Sequence, residues 1–157
     1  MGVSELVDSS SVSFLPSAGM PKGLRTLVLE RIYTIEDIML GLEQVECPLR
    51  HLFAPFVYLR EMIVPAGTVM TGMLHRFDDV SIMSKGDMSI LGDDGKFRRV
   101  SGHNIFYGKA GLKKIGIAHE ETIWTSIHPN PTNETDIDKL EAMLYYPKDY
   151  RPGLEIL

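Results

Sequence analysis

Short apolar runs separated by polar turn residues fill the middle of the chain, between residues 57 and 127. Turn signals recur about every 8 to 12 residues there, a spacing typical of an all-β sandwich or small barrel. Nine of the 14 glycines lie between Gly67 and Gly116, whereas no proline lies between Pro65 and Pro129. Abundant glycine without proline suits short strands joined by tight turns. The predicted strands are Val57–Val64, 69–75, 80–83, 88–91, 97–100, 104–107, 114–118 and 122–127.

A helical pattern precedes this region. Thr34 is a candidate N-cap, followed by Glu36 and Asp37 in the first turn, where the helix dipole favours negative charge. Apolar residues then recur at three- and four-residue steps, which predicts one apolar helical face and a helix ended by Pro48. The segment 24–32 fits either a strand or a short helix, because apolar periodicity does not separate the two. The predicted apolar face consists of Ile35, Ile38, Met39, Leu42 and Val45.

Both ends of the chain differ from the middle. Residues 1 to about 22 are rich in serine and glycine, and this composition predicts an irregular arm. Near the other end, residues 133–136 offer a cap for a helix that runs through about Leu144 with one apolar face. Residues 145–157 predict an extended arm that packs on the barrel or on a second subunit. The predicted division is an arm and helix over 1–50, a β-barrel over 51–128, and a helix and arm over 129–157.

The composition is that of one soluble globular domain: 157 residues, of which 44% are hydrophobic and 24% charged. Acidic residues outnumber basic ones 21 to 16, so no general attraction to nucleic acid or to an anionic membrane is expected. No apolar run approaches the roughly 18 residues that a membrane span needs, and the N-terminal residues lack the pattern of a signal peptide. A single cysteine, Cys47, excludes an internal disulfide and fits a reducing compartment, so we expect a cytoplasmic protein.

Five short motifs mark the central region: 65–68 (PAGT), 71–75 (TGMLH), 83–87 (MSKGD), 110–114 (AGLKK) and 119–128 (HEETIWTSIH). They resemble motifs of the cupin superfamily, the small jelly-roll or double-stranded β-helix proteins. More narrowly, the stretch from about Glu61 to Leu144 resembles short cupin-like proteins of tailed bacteriophages. The resemblance implies a mainly β protein, a single cupin-like jelly-roll barrel with a central cavity that forms a homodimer or higher homo-oligomer. An N-terminal helical segment and a C-terminal helix with an extended arm flank that barrel.

Cupins typically bind a divalent metal inside the barrel, through two histidines and a glutamate of a first motif and a histidine of a second. The resemblance places His75 at the first histidine position, Phe77 at the second and Ser81 near the carboxylate position. The second-motif histidine position falls on Lys113 or Lys114, and an ammonium group repels a cation. We therefore expect a degenerate metal motif, with neither a metal nor another cofactor.

Alternation along a strand places His75, Phe77 and Asp79 on one face. His75 beside Asp79 can serve as an acid/base or hydrogen-bonding group at the barrel mouth, or it can be a residual histidine satisfied by a neighbour. His119 can close on His75 in space, or it can lie in a solvated acidic turn. Trp124 can form an aromatic wall for a sugar or a base, or it can belong to the core.

The remaining candidates are polar residues with a simple structural alternative. Asp78 points away from Asp79 and suits a polar turn, and His128 marks the exit from the barrel. The basic pairs at residues 98–99 and 113–114 can hold an anion at a pocket rim, or they can protect a solvated sheet edge. The predicted ligand-binding residues are His75, Phe77, Asp79, Ser81, Lys113, His119 and Trp124.

Three classes of function remain. The first is a metal-free binder that holds a nucleotide- or sugar-type metabolite or signal in the barrel cavity, taken from the host cytoplasm if the chain is phage-encoded. The second is a metal-free acid/base enzyme of isomerase, epimerase or lyase type that uses His75, Asp79 and His119, and the third is a virion or assembly module. The binder is favoured, because the missing ligands weigh against metal chemistry and no Gly-x-Ser-x-Gly nucleophile motif is present. Neither nucleic acid nor a membrane is expected as a partner.

Overall fold

Ten β-strands and two α-helices make up the part of the chain that this computed structural model describes, residues 12–14, 22–92 and 95–152. The helices are α1 (Lys22–Leu40) and α2 (Ile137–Leu144). The strands are β1 (Val12–Phe14), β2 (Leu49–Ala54), β3 (Val57–Val64), β4 (Val69–Thr71), β5 (Asp79–Lys85), β6 (Asp87–Leu91), β7 (Phe97–Ser101), β8 (Asn104–Gly108), β9 (Ile115–Ala118) and β10 (Thr122–Pro129).

The strands form two sheets. The larger has the order β1-β8-β5-β10-β3-β2 and the smaller has the order β4-β9-β6-β7. Neighbouring strands are antiparallel, except that β1 and β8 are parallel. One core cluster contains buried side chains of both sheets, so the sheets pack face to face. The predicted mainly β jelly roll, with a helix before and after the sheets, is confirmed. The buried members of that cluster are Val64, Met83, Met88, Ile90, Phe106, Ala118 and Trp124.

Alternating burial along the strands builds this core. In β5, Asp79, Ser81 and Met83 are buried whereas Val80 between them is exposed. Each large apolar side chain that leaves water contributes roughly 1.5–3 kcal/mol to stability. Because residues 79 and 81 share the inward face with Met83, the same alternation carries a carboxylate and a hydroxyl into the interior.

Helix α1 begins well before Thr34, so the predicted N-cap at that residue is wrong. Residues 24–32 belong to this helix, and the Thr34 hydroxyl donates a hydrogen bond to the Glu30 carbonyl oxygen at 2.9 Å. The helix ends at Leu40 and not at Pro48. The predicted apolar face is mostly exposed, because the preceding turns of the helix supply the side chains that pack on the barrel. Those buried side chains are Leu29, Ile32 and Tyr33.

Two strands lie where the sequence predicts none. β1 falls within the predicted irregular arm, and β2 precedes the first predicted strand. An edge strand such as β2 shows no alternation of burial, and His51 is its one residue that is not exposed. The predicted strand 69–75 is wrong in its second half, since β4 ends at Thr71 and residues 72 and 75 are held by backbone hydrogen bonds to residues 114 and 112. The other predicted strands are confirmed to within two residues.

The predicted C-terminal helix is confirmed as α2. Its N-cap is Asp136, whose carboxylate accepts hydrogen bonds from the backbone N–H groups of Asp138 and Lys139 at 3.1 and 3.3 Å. Leu140 and Leu144 are buried by this helix, as the apolar spacing predicts. The helix therefore packs on the barrel through one face.

The arm after α2 packs on its own barrel. Tyr145 forms an isolated β-bridge with His75, and the Tyr146 N–H donates a hydrogen bond to the Leu74 carbonyl oxygen at 2.9 Å. The sequence predicts that the arm packs on the barrel or on a second subunit. Residues 145–152 contact the barrel of the same chain. This contact brings the Tyr145 side chain into the interior, next to His75.

The predicted N-terminal and C-terminal arms lie partly outside the described residues, which do not include 1–11, 15–21 or 153–157. The three-part division of the chain at residues 50 and 128 stays a prediction. Among the described residues, no helix is long and apolar enough to cross a membrane.

Candidate functional site

A cavity of about 80 Å³ lies between the two sheets. Its walls are mostly apolar, and four of the lining side chains are methionines, whose flexible thioethers adapt to different ligand shapes. Trp124 adds an aromatic wall. The polar lining groups come from β3, β10, the segments before β5 and β9, and the C-terminal arm, so distant parts of the chain meet here. These polar residues are Arg60, His75, Lys114, Ser126 and Tyr145.

Lys114 extends from the cavity wall to a buried carboxylate. Its Nζ lies 3.1 Å from Asp79 Oδ2 and donates a hydrogen bond to Ser81 Oγ at 3.0 Å. The Ser81 hydroxyl in turn donates to Asp79 Oδ2 at 3.0 Å, and His75 Nδ1 lies 3.4 Å from Asp79 Oδ1. Because the Asp79 side chain is 1% exposed, this ion pair and its hydrogen bonds replace the water that a carboxylate otherwise needs.

Strand alternation and one glycine hold these groups in place. Asp79 and Ser81 occupy the inward face of β5, and Gly108 lies directly opposite Asp79 in the ladder between β5 and β8. A Cβ atom at residue 108 would overlap Asp79 Oδ1 and lie 3.2 Å from Lys114 Nζ. The ion pair therefore requires glycine at this position.

His128 and Tyr145 form a second buried group next to His75. The Tyr145 hydroxyl and His128 Nε2 are hydrogen-bonded at 3.0 Å. The ring centres of His75 and His128 lie 5.6 Å apart, and Tyr145 meets both histidine rings edge-on. Tyr58 stacks on the His128 ring at 5.9 Å. The arm thus closes one side of the cavity with a phenol that contacts both imidazoles.

Arg60 approaches the cavity from the inward face of β3, opposite Ser126 of β10. Its Nε is buried and has no hydrogen-bond partner among the described residues. The rest of the guanidinium interacts with Tyr145 and lies 4.0 Å from Glu141 Oε1. A buried N–H of a charged group that lacks an acceptor costs free energy.

Burial keeps both histidines neutral at neutral pH. It lowers the pKa of His75 to about 3, with the charge of Lys114 acting in the same direction and that of Asp79 opposing it. Burial also lowers the pKa of His128 to about 4, again against the opposing charge of Asp79. The phenol of Tyr145 stays protonated because burial raises its pKa to about 12.

The ion pair itself stays charged. Burial alone would raise the pKa of Asp79, but the charge of Lys114 and the hydrogen bonds from Lys114 and Ser81 hold it below its ordinary value. Burial lowers the pKa of Lys114, and the Asp79 carboxylate opposes that change. At neutral pH the site thus combines an ammonium–carboxylate pair, the Arg60 guanidinium, two neutral imidazoles and a phenol.

The two buried histidines make the fold sensitive to acid. In the unfolded chain a histidine titrates near pH 6.5, above the folded values of about 3 and 4. Below pH 6.5 the unfolded state therefore binds more protons, and the stability that is present above that pH is lost as the pH falls towards the folded values. We expect the free energy of unfolding to fall by roughly 2 kcal/mol per histidine between pH 6.5 and 5.

Urea unfolding of the full-length protein across this pH range measures the effect. The variant His128→Gln is expected to lose about half of the pH dependence, whereas the exposed His119→Gln keeps it. An unfolding free energy that is the same at pH 6.5 and at pH 5 would show that these histidines are not held neutral by burial.

The residues present do not fit the divalent metal that the cupin resemblance implies. Lys114 Nζ lies against Asp79, next to His75, where a metal would need those same ligands, and its charge repels a cation. His128 Nε2, another possible metal ligand, is already hydrogen-bonded to the Tyr145 hydroxyl. Within the described residues, no three His, Cys, Asp or Glu side chains are grouped to hold a metal ion.

Four of the predicted ligand residues meet at the cavity. His75 and Trp124 line it, while Asp79 and Ser81 bind Lys114 behind its wall. Trp124 also belongs to the core, because its ring stacks on Phe106 at 5.0 Å, and its role as a wall for a sugar or a base stays a prediction. The predicted pairing of His75 with Asp79 is present in the structure, where His75 Nδ1 lies 3.4 Å from Asp79 Oδ1.

Three predicted ligand residues lie elsewhere. Phe77 is 48% exposed, and the solvated alternative holds for His119, whose Nε2 lies 2.7 Å from Ser89 Oγ on the surface. The predicted approach of His119 to His75 is therefore wrong. Lys113 is buried but turns towards α1, where its Nζ bonds to Glu36 Oε1 at 2.8 Å. Alternation explains the last error, since adjacent residues on an extended segment point to opposite sides and Lys114 faces the cavity.

Sequence reasoning misses Arg60, His128 and Tyr145 as site residues. His128 lies four residues after Trp124 on β10, and this even spacing already places it on the same inward face. Arg60 carries no such indication, because apolar side chains lie on both faces of β3. Tyr145 reaches the site only through the path of the arm, which local sequence does not encode.

The comparisons with known proteins concern the fold. No protein-family model matches the sequence, and no match among curated proteins was found. A cupin-2 domain protein from Shewanella frigidimarina is 16% identical, with 61% of this chain and 92% of that one covered and a TM-score of 0.44. A cupin domain protein from Bordetella pertussis is 14% identical, with 57% and 99% covered and a TM-score of 0.45. A protein with a double-stranded β-helix domain from Klebsiella pneumoniae is 13% identical, with 59% and 80% covered and a TM-score of 0.49.

These structural neighbours are cupin-domain proteins. At such identities the likeness concerns the fold alone, and it assigns no role to any residue of this chain.

Proposed function

We propose that the protein binds a small organic acid in this cavity without a metal, with the carboxylate of the acid on Arg60. The observation that carries the proposal is the guanidinium of Arg60, which lines the cavity and lies 4.0 Å from Glu141 Oε1, too far for a hydrogen bond. A guanidinium presents its N–H groups in a planar fork that matches a carboxylate. An acid bound there supplies a closer partner for the charge of Arg60.

The charge balance of the cavity supports an anionic ligand. Asp79 neutralises Lys114 at 3.1 Å, and burial keeps His75 and His128 neutral. The charge of Arg60 is only weakly compensated, because Glu141 lies 4.0 Å away and its side chain is 37% exposed. A guanidinium with only this distant partner, beside an apolar wall, favours an anion with an apolar body.

The size of the cavity favours a short ligand. A volume of about 80 Å³ lies well below the roughly 300–1,000 Å³ of sites that hold drug-sized molecules. A small acid fits completely, whereas a larger metabolite would place only its acidic end here. The nucleotide- or sugar-type ligand predicted from the sequence is a larger metabolite of this kind, so only its acidic end would lie in the cavity. A phage origin and the capture of a host metabolite stay predictions.

Trp124 supplies a built-in test, because it is the single tryptophan of the chain and lines the cavity. We expect lactate, a small hydroxy acid, to change the fluorescence of the full-length protein along a saturable curve. Lactamide replaces the carboxylate with a neutral amide and is expected to bind at least about 10-fold more weakly, since it forms no charge-assisted hydrogen bonds. Equal responses to the two compounds, or no response to either, would contradict the proposal.

A second candidate function is acid/base catalysis in the same cavity. It is favoured by the neutral imidazole of His75 and the phenol of Tyr145, whose ring centres lie 5.1 Å apart. With its pKa of about 3, the His75 imidazole is a weak base, so this chemistry requires a bound substrate that raises this pKa before the imidazole takes a proton from carbon and the phenol returns one. Exchange of hydrogen for deuterium at the carbon next to the carboxylate, followed by proton NMR in D₂O, would indicate this chemistry, and its absence would leave binding alone.

We also propose that the predicted homo-oligomer is a dimer joined at the edge of the larger sheet. β2 is that edge, and it exposes the apolar side chains of Leu49, Leu52 and Phe53. A second copy can pair with this strand in antiparallel orientation about a two-fold axis, which covers the edge and continues the sheet. A monomeric mass in solution would contradict this arrangement.

A further inference from the structure

We propose that Lys114 forms an imine with the carbonyl group of a 2-oxo acid bound in the cavity. This inference rests on the proposed function, because the carboxylate of the 2-oxo acid is the group that we place on Arg60. It assigns a substrate class and a covalent bond to a lysine whose contacts would otherwise be only structural.

The position of Lys114 supports this role. Its side chain is 14% exposed, and on one side its Nζ contacts Asp79 and Ser81. On the other side, Nζ lies 5.7 Å from the ring centre of Trp124, and the residue lines the cavity together with Arg60. Because both side chains line one cavity of about 80 Å³, we expect an acid held by its carboxylate on Arg60 to place its adjacent carbonyl carbon within reach of this amine.

The neighbouring lysine has other partners and faces another part of the molecule. Lys113 Nζ donates hydrogen bonds to Glu36 Oε1 at 2.8 Å and to the Gly72 carbonyl oxygen at 2.7 Å. Its side chain is 4% exposed and faces α1 instead of the cavity between the sheets. Lys113 is therefore a matched control for Lys114, adjacent in sequence, buried and ion-paired, but without access to the ligand.

Asp79 accepts the proton that Lys114 loses and returns it later in the reaction. The Lys114 ammonium gives a proton to Asp79, and the neutral amine attacks the carbonyl carbon, so that a C–N bond forms and the π electron pair moves to oxygen. A proton passes from nitrogen to that oxygen, which yields a carbinolamine. Asp79 then protonates the hydroxyl, water leaves, and the nitrogen lone pair forms the C=N bond of a protonated imine. One ammonium and one carbonyl thus become one iminium and one water.

The surroundings suit both the amine and the product. Burial lowers the pKa of Lys114, which increases the share of neutral, nucleophilic amine. The protonated imine pairs with Asp79 as the ammonium does, so the reaction leaves the charge of the cluster unchanged. The apolar walls of the cavity limit the water that would hydrolyse the imine.

Reductive trapping tests the inference. The full-length protein is incubated with pyruvate and sodium cyanoborohydride, which reduces an imine to a stable secondary amine. We expect each chain to gain the mass of one pyruvate less one oxygen atom, and peptide mapping to place the adduct on Lys114. The variant Lys114→Arg keeps the charge and is expected to lose the adduct, whereas Lys113→Arg keeps it. Lactate, which has no carbonyl group beside its carboxylate, is expected to give no adduct.

Each outcome decides a different point. An adduct mapped to Lys114 in the wild-type protein supports the inference even if a variant fails to fold. Labelling that is spread over exposed lysines and unchanged in Lys114→Arg overturns it. If lactate changes the Trp124 emission while pyruvate leaves no adduct, the imine is wrong and the proposed function stands. If the adduct forms but lactate does not bind, the imine stands and the placement of the carboxylate on Arg60 is wrong.

Discussion

Replacing Lys114 with methionine is expected to lower the free energy of unfolding by about 3–5 kcal/mol. Methionine keeps much of the side-chain volume, but the substitution leaves the Asp79 carboxylate, which is 1% exposed, without the ammonium group 3.1 Å away. A buried charge without its partner is costly, because the interior does not replace its lost hydration. Chemical unfolding of the wild-type protein and the variant at neutral pH measures the difference.

An exposed ion pair supplies the control for this prediction. Lys85 lies 3.0 Å from Glu121, at nearly the same distance, but the two side chains are 61% and 56% exposed. Lys85→Met is therefore expected to cost less than about 1 kcal/mol. Adding Asp79→Asn to Lys114→Met should restore part of the lost stability, since the amide carries no charge. If Lys114→Met costs no more than Lys85→Met, the ammonium group of Lys114 is not what makes the buried carboxylate tolerable.

Replacing Arg60 with methionine is expected to weaken lactate binding by about 10- to 150-fold. This range corresponds to the loss of hydrogen bonds to a charged group, which contribute about 1.5–3 kcal/mol. Titration of the variant with lactate, followed by Trp124 fluorescence, measures the change in affinity. Arg60→Lys keeps the charge but not the planar fork, and we expect an affinity between those of the wild type and the methionine variant.

The control for Arg60 lies on the neighbouring strand. Arg50 of β2 pairs with Glu61 at 2.9 Å, and its side chain is 69% exposed. Arg50→Met removes the same type of charge at a distance from the cavity and should leave lactate affinity unchanged. An equal loss in both arginine variants would indicate a general electrostatic effect instead of a carboxylate site on Arg60.

Most of the fold is predictable because burial follows the strand alternation. Strands such as β3 and β6 show turn residues at both ends and apolar side chains on at least one face, and these patterns are local. β2 is missed because an edge strand with five exposed residues of six carries no such pattern. α1 is placed too late because Thr34 has the sequence of an N-cap, although the helix packs through Leu29 and Tyr33 of the preceding turns.

The site is predictable only where its residues are close in sequence. His75 and Asp79 are close in sequence, and their contact at 3.4 Å agrees with the prediction. Lys114 and Tyr145 come from other segments, and the closure of the barrel and the return of the arm decide which side chains meet Asp79 and His75. Between Lys113 and Lys114, the extended geometry of the segment decides which lysine enters the cavity, and a shift of one residue reverses the answer.

A paired titration shows whether an ammonium group or a metal ion organises the cavity. The full-length protein, freed of metal with EDTA and dialysed, is titrated separately with lactate and with Mn²⁺ while Trp124 emission is recorded. A paramagnetic ion bound beside His75 and Asp79 would quench the tryptophan that lines the same cavity. We predict a saturable response to lactate and none to Mn²⁺. A stoichiometric response to Mn²⁺ without any response to lactate would contradict metal-free binding of an organic acid.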